Sequence, residues 1–171
     1  RVLTTLNPAG MDVENWRALG IDPAFAENQR RVLDAFAQMG VVTTCTCTPY
    51  LSGNVPHYGE HIAWAESSAV CYANSVIGAR SNREGGPSAL ASALTGRTPA
   101  YGYHLDKNRL PNLAIIVETH PQGTHEFGAL GKAIGETLET AGDKRVPYIL
   151  GIERASLEEL KSFCASIATY G

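Results

Sequence analysis

The chain has 171 residues, 44% of them hydrophobic and 18% charged, with a net charge of −3 and a pI near 5.9. That length can bury a full core and is most simply one domain, and a mildly acidic chain without a basic stripe gives no electrostatic case for nucleic acid. No apolar run approaches the roughly 18 residues that a membrane helix needs, and the N-terminus lacks a signal-peptide pattern, so the expectation is a cytoplasmic protein with no membrane partner.

Taken in order, residues 1–20 are a turn-rich polar start broken by Pro8 and Gly10. Asp22 then reads as the cap of a helix with Pro23 at its first position. Phe25, Val32, Leu33, Phe36 and Met39 recur at helical spacing, and Gly40 is placed to close the helix. Val41–Cys47 follows as a strand of β-branched residues, on which alternation puts Cys45 and Cys47 on one face. Pro49, Gly53, Asn54, Pro56 and Gly59 make the next segment a loop, and a helix is expected from about His61 to Ile77. Ser67, Cys71, Asn74 and Ser75 form a stripe of small polar groups along it, suited either to close helix packing or to the floor of a polar cavity.

After a loop from Arg80 to Gly86, Pro87–Leu94 reads as a short helix ended by Gly96, and Thr98–Asn112 as irregular. Leu113–Val117 is a buried-strand run, Phe127–Thr140 a helix ended by Gly142, and Pro147–Ile152 a second strand. Ser156 and Glu159 form a capping box that starts a last helix carrying Leu160, Phe163, Ile167 and Tyr170. This β-α-β-α order predicts parallel strands with right-handed crossovers. The fold class is therefore α/β, a layered α-β-α domain with a mostly parallel sheet.

Four cysteines without an export signal do not imply disulfides. Cys71 and Cys164 fall within helical patterns as small buried hydrophobes, whereas Cys45 and Cys47 stand at the mouth of a loop. No CxxC pair or HxxxH spacing occurs, which argues against a self-contained zinc site. Cys47, beside Pro49 and facing polar loops, reads as a free thiol, a nucleophile or a thiolate metal ligand. The Arg80–Gly86 loop joins two arginines and an asparagine to Gly85 and Gly86 just before a helix, a pattern suited to a carboxylate or phosphate as well as to a solvated turn. Arg83 is placed for a two-pronged contact with such an anion. Glu60, His61 and Glu66 at the start of a helix serve equally as dipole partners and as general acids or bases.

The stretch TCTPYLSGNVPHYGEHIAWAESSAVCYANSVIGARSNREGGPSALASALTGRTPAYGYHLDKNR, within a match from about Thr4 to Arg109, resembles the catalytic large part of the aconitase X family. The resemblance implies a hydro-lyase of the aconitase superfamily that uses an iron–sulfur centre to remove water from a small hydroxy acid. It also implies a swivelling small domain or small subunit as partner. Cys47, in Cys-Thr-Pro-Tyr, is similar to a cluster ligand. Glu66 and Ser67, in Glu-Ser-Ser, and Asn82 with Arg83, in Asn-Arg-Glu-Gly-Gly, match active-site motifs. On that basis Glu66 is assigned as catalytic, and His61 is assigned with it from its place beside Glu60 at the helix start. Ser67, Asn82, Arg83, Gly85 and Gly86 are assigned to substrate and Cys47 to the metal.

The family's large part is longer than this chain, so residues 1–171 read as one catalytic domain excerpted from it, with a join between segments near residues 109–112. Of two family substrates, cis-3-hydroxy-L-proline is preferred to mevalonate 5-phosphate. A non-catalytic anion-binding domain is the reading from another class. A cysteine-dependent hydrolase ranks last, for want of a convincing cysteine–histidine order.

Overall fold

The computed structural model describes residues 2–141 and 145–170. They divide into two compact units, one from the residues up to Val55 together with Leu90–Arg97, the other from Pro56–Ala89 and from Thr98 onward.

In the first unit, α1 spans Pro23–Gln38. It begins as its sequence dictates: the Asp22 carboxylate accepts the Phe25 N–H at 2.9 Å, Pro23 occupies the first turn, and Gly40, at φ 82°, takes the left-handed turn after the end. Its buried residue is Ala26, while Phe25 and Val32 stand about half exposed, at 48% and 49%. The apolar spacing thus locates the helix without identifying its buried face. Trp16 is buried nearby and carries the guanidinium groups of Arg17 and Arg30 at 4.3 and 5.2 Å from its ring centroid.

The strand expected over Val41–Cys47 does not form. Val42 makes one parallel bridge to Thr5, through Leu6 N–H to Val42 C=O at 3.0 Å and Val42 N–H to Thr4 C=O at 2.9 Å. Cys45 then turns to φ 47°, a left-handed conformation that ends extended geometry. Cys45 and Cys47 therefore do not share the face of a strand. β-Branched composition supplied the propensity, but a strand also needs a partner in register.

In the second unit the helix expected from His61 begins six residues later. Gly59–Ile62 runs instead beside Gly78–Arg80, with Gly59 N–H to Gly78 C=O at 2.9 Å, Arg80 N–H to Glu60 C=O at 2.8 Å and Ile62 N–H to Arg80 C=O at 3.0 Å. Those pairings take the backbone groups that a first helical turn would use. α2 covers Ser67–Tyr72, continues as a π-helical turn over Ala73–Ile77, and stops at Gly78, φ 78°. α3, Gly86–Thr95, ends before Gly96 at φ 65°, close to expectation. The segment Thr98–Asn112 is irregular, as expected, with two short 3-10 turns at Gly102–His104 and Asp106–Asn108.

The C-terminal half follows the predicted order. β1 (Leu113–Ile116) and β2 (Pro147–Leu150) pair in parallel, Leu113 opposite Pro147 and Ile116 opposite Leu150. α4 (Gly123–Thr140) joins them and α5 (Leu157–Tyr170) follows. α4 starts four residues before the expected Phe127; Gly142, expected to end it, lies outside the described residues. The capping box of α5 forms, with Ser156 N–H donating to the Glu159 carboxylate at 2.7 Å and Glu159 N–H to Ser156 Oγ at 3.3 Å.

α4 packs on α5, and α5 on α2. Phe127, Ile134, Phe163, Cys164 and Ile167 are buried there. Gly131 makes the approach of α4 possible: a Cβ at this position would lie 2.6 Å from the Phe163 carbonyl oxygen and 2.9 Å from Ser166 Cβ. The small polar stripe on α2 has one member in this layer, where Cys71 meets Cys164. A hydrogen bond to Cys71 and burial both push the Cys164 thiol up, away from a metal-binding thiolate.

Candidate functional site

The residues singled out by sequence fall in both units. Cys47 belongs to the first, where it is exposed and follows the turn at Cys45, with Thr46 Oγ1 accepting the Thr48 N–H at 3.1 Å. His61, Glu66, Ser67, Asn82, Arg83, Gly85 and Gly86 belong to the second.

Glu66 occupies the position just before α2, half-buried. Its carboxylate caps no backbone N–H and its closest partner is Ser68 Oγ, at a long 3.4 Å. A carboxylate with so little fixed bonding keeps its acceptor capacity for a proton or a ligand. Ser67, the first residue of α2, is half-buried beside it.

The Arg80–Gly86 loop holds two kinds of residue. Arg83, Gly85 and Gly86 are exposed, and a Cβ at Gly86 would meet nothing within 4 Å, so the backbone there is open to approach. Asn82 is committed to the fold instead. Its amide donates to Tyr101 C=O at 3.2 Å and accepts Tyr103 N–H at 2.8 Å, and its Oδ1 fills the space where a side chain on Gly102 would begin. Gly102 sits at φ 57°, so glycine is required there for both conformation and space. Asn82 thereby positions the segment that carries His104.

Behind the loop lies a polar network that the sequence motifs did not announce. Ser81, fully buried, accepts the Trp64 N–H at 3.3 Å and donates to Asn82 C=O at 2.7 Å. Asn74, from the polar stripe, donates to Val70 C=O and Ser81 C=O, both at 2.9 Å. Arg109 donates to the Asn74 Oδ1 at 2.6 Å, to Tyr103 C=O at 3.1 Å and to Ala79 C=O at 3.0 Å. Arg80 pairs with Asp106 at 2.6 Å and reaches His104 C=O at 3.3 Å. Burial, then the charge of Arg80, lower the Arg109 guanidinium from its ordinary value.

His104 is 3% exposed and its Nδ1 lies 2.9 Å from the Nδ1 of His61, with the rings stacked at 5.1 Å and 15°. Burial first, then His61, hold His104 below the ordinary imidazole value; Glu84 opposes this, and Arg109 and Arg80 reinforce it. His104 Nε2 and Glu84 Oε1 are both buried without a hydrogen-bond partner. Glu84 Oε2 accepts from Ser88 Oγ at 2.7 Å, which sets one carboxylate at the start of α3, beside the glycines read as an anion loop. His120 and His125 are exposed.

An iron–sulfur cluster requires several thiolates or equivalent ligands. Among the described residues no three His, Cys, Asp or Glu side chains gather as a metal shell would require. Cys47 fits a cluster as a single outward-facing ligand, and these residues do not complete the coordination sphere.

Comparison with known proteins gives a consistent answer. Residues 1–107 match the family profile described as aconitase X first domain, and residues 111–171 the one described as aconitase X second domain. The chain is 52% identical over its whole length to the phosphomevalonate dehydratase large subunit of Methanothermobacter thermautotrophicus, of which it covers 42%. It is 37% identical to the cis-3-hydroxy-L-proline dehydratase of Hypocrea jecorina over 97% of the chain and 28% of that protein. The crystal structure of Thermococcus kodakaraensis aconitase X in its holo-form superposes with a TM-score of 0.84 at 45% identity, covering 99% of this chain and 41% of that one. The chain thus spans less than half the length of the curated relatives it matches. Its two halves match the two domain profiles of one family in order, and the chain belongs to the aconitase X family.

Proposed function

We propose that the chain is part of a dehydratase large subunit that removes water from mevalonate 5-phosphate in partnership with a small subunit. The observation that carries this reading is the grading of identity: 38–52% to five relatives named phosphomevalonate dehydratase large subunit, four of them at 44% or more, against 37% to two named cis-3-hydroxy-L-proline dehydratase. This reverses the preference for hydroxyproline drawn from the motifs, which both types share.

The residues suit such an elimination. Dehydration beside a carboxylate needs a base for the C–H proton, an acid for the departing hydroxyl, and a holder for the substrate's anionic groups. Glu66, with its lightly bonded carboxylate, is assigned as the base. Arg83 and the open backbone at Gly85 and Gly86 are assigned to the anion, and Ser67 to a polar contact beside the base. Asn82 contributes by fixing the loop. Cys47 is assigned as one ligand of an iron–sulfur cluster, a group that supplies Lewis acidity to an oxygen of the substrate when bound. No helix among the described residues is long and apolar enough to cross a membrane, which is compatible with a cytoplasmic enzyme.

The test is to purify the full-length protein with its small subunit under anaerobic conditions and follow each substrate by proton NMR. Appearance of a vinylic signal from mevalonate 5-phosphate supports the reading. Turnover of hydroxyproline alone would transfer the chain to the other type, and turnover of neither would leave an anion-binding domain as the better account.

A further inference from the structure

In both β1 and β2 shielded residues alternate with open ones. The open side carries Ala114 and Ile116 of β1 opposite Tyr148 and Leu150 of β2. Ile116 is 71% and Tyr148 56% exposed, and none of the four bears a charge. A sheet with one wet face alternates apolar with polar residues, whereas parallel strands run apolar on both sides because both sides are covered. β1 and β2 are of the second kind, yet the crossover through α4 accounts for one side alone.

The size of the open face limits what can cover it. Four residues per strand, at about 3.3 Å each, and strands about 4.8 Å apart give an area of roughly 13 by 10 Å. A stable contact between separate subunits covers on the order of 800 Å² on each partner, several times more. A single helix, about 10 Å across, matches the face. The relatives show where such a helix can come from. The chain shares its fold, at a TM-score of 0.84, with a solved aconitase X of which it covers 41%, and it covers 42% of the 52%-identical large subunit. More than half of each of those proteins lies outside the matched region.

We propose that the outward face of β1 and β2 is the seat of a helix from the remaining part of the large subunit, laid with an apolar stripe on Ile116, Tyr148 and Leu150. The proposal rests on the reading of this chain as part of a longer large subunit and deepens it by naming the surface that the remaining part covers. It holds whichever acid is dehydrated. The stripe presents apolar residues three and four apart. It brings no charge to the sheet, because these four side chains could not pair one.

The experiment is hydroxyl-radical footprinting, read by peptide mass spectrometry, of the full-length large subunit alone at two concentrations and then with its small subunit. Oxidation of Ile116, Tyr148 and Leu150 is compared with that of the same residues in free peptides. In the large subunit alone it should be at least about 10-fold slower, since a covered side chain meets solvent only when the packed layer opens. Dilution and the small subunit should leave that value unchanged. Oxidation near the peptide rate would overturn the proposal. Slowing that appears only with the small subunit would give the face to that partner, and slowing lost on dilution would give it to a second copy; either overturns the proposal. A native chain with an intact mass of 18.3 kDa would remove the longer-subunit reading itself, and the proposal with it.

Discussion

Arg109 donates to the amide oxygen of Asn74 at 2.6 Å, joining the irregular segment after α3 to the π-helical turn that ends α2. The same guanidinium reaches the carbonyls of Tyr103 and Ala79. Arg109→Met should lower stability by about 1–3 kcal/mol, because it strips donors from part-buried acceptors. Arg109→Lys should rescue little of the loss, since one ammonium cannot reproduce the planar fork. The shift of the urea midpoint measures both, and a lysine variant as stable as wild type would show that the fork is unimportant.

Gly131 is where α4 comes closest to α5. Alanine there would put a methyl 2.6 Å from a backbone carbonyl oxygen, which cannot move aside as a flexible side chain does. Gly131→Ala is expected to cost about 1–3 kcal/mol through overpacking, despite the better helix propensity of alanine. A thermal melt decides: an unchanged or raised midpoint would mean that the two helices do not pack this closely.

The Glu159 carboxylate serves two helix starts. It accepts the Ser156 N–H at 2.7 Å and the Gly123 N–H at 2.8 Å. The hydrogen bonds from Ser156 and then Gly123 hold its carboxyl below the usual range. Its contribution is therefore present above the ordinary glutamate value and is lost as the pH falls through the depressed folded value. Protection of the Gly123 and Ser156 amides against exchange, relative to the intrinsic rate at each pH, should fall together on acidification, and Glu159→Ala should remove it at neutral pH. Loss of protection at only one of the two amides would separate the caps.

His104 acts in the same sense, from a higher starting pH. Burial holds the folded ring neutral below its usual value of 6.5, so the unfolded state binds the extra proton first. Stability should be undiminished above that pH and fall as pH drops from it toward the lowered folded value. His104→Phe should flatten this slope. An equal slope in the variant would assign the effect to another group.

Cys47 is exposed and ligates nothing within the described residues, so Cys47→Ala should leave the melting temperature of the metal-free full-length protein within about two degrees of wild type. Iron content and visible absorption of the anaerobically purified protein should fall sharply. Retention of both would remove Cys47 from the cluster.

Local chemistry is legible in the sequence wherever a side chain acts on its own neighbours. Asp22 with Pro23, Gly40, Gly96 and the Ser156–Glu159 box behave as their sequence implies, because a cap is decided within a single helical turn. The β1-α4-β2-α5 order is legible for a similar reason, since a crossover helix between two apolar runs favours a parallel pair. Expectation and structure part at Val41–Cys47 and at His61, where distant partners decide: Thr5 offers only one bridge, and Arg80 draws His61 into an extended pairing. The contact between His61 and His104 has no pattern to announce it. It depends on Gly102 accepting a left-handed turn against Asn82, a condition set by residues far apart in the chain.

The substrate assignment is tested by placing mevalonate 5-phosphate and cis-3-hydroxy-L-proline together, at equal concentration, with the anaerobically purified full-length enzyme and its small subunit. Proton NMR follows both in one tube. A phosphomevalonate dehydratase consumes the phosphorylated acid to equilibrium with a new vinylic signal while the hydroxyproline signals persist, and that is the expected result. Preferential loss of hydroxyproline would contradict it.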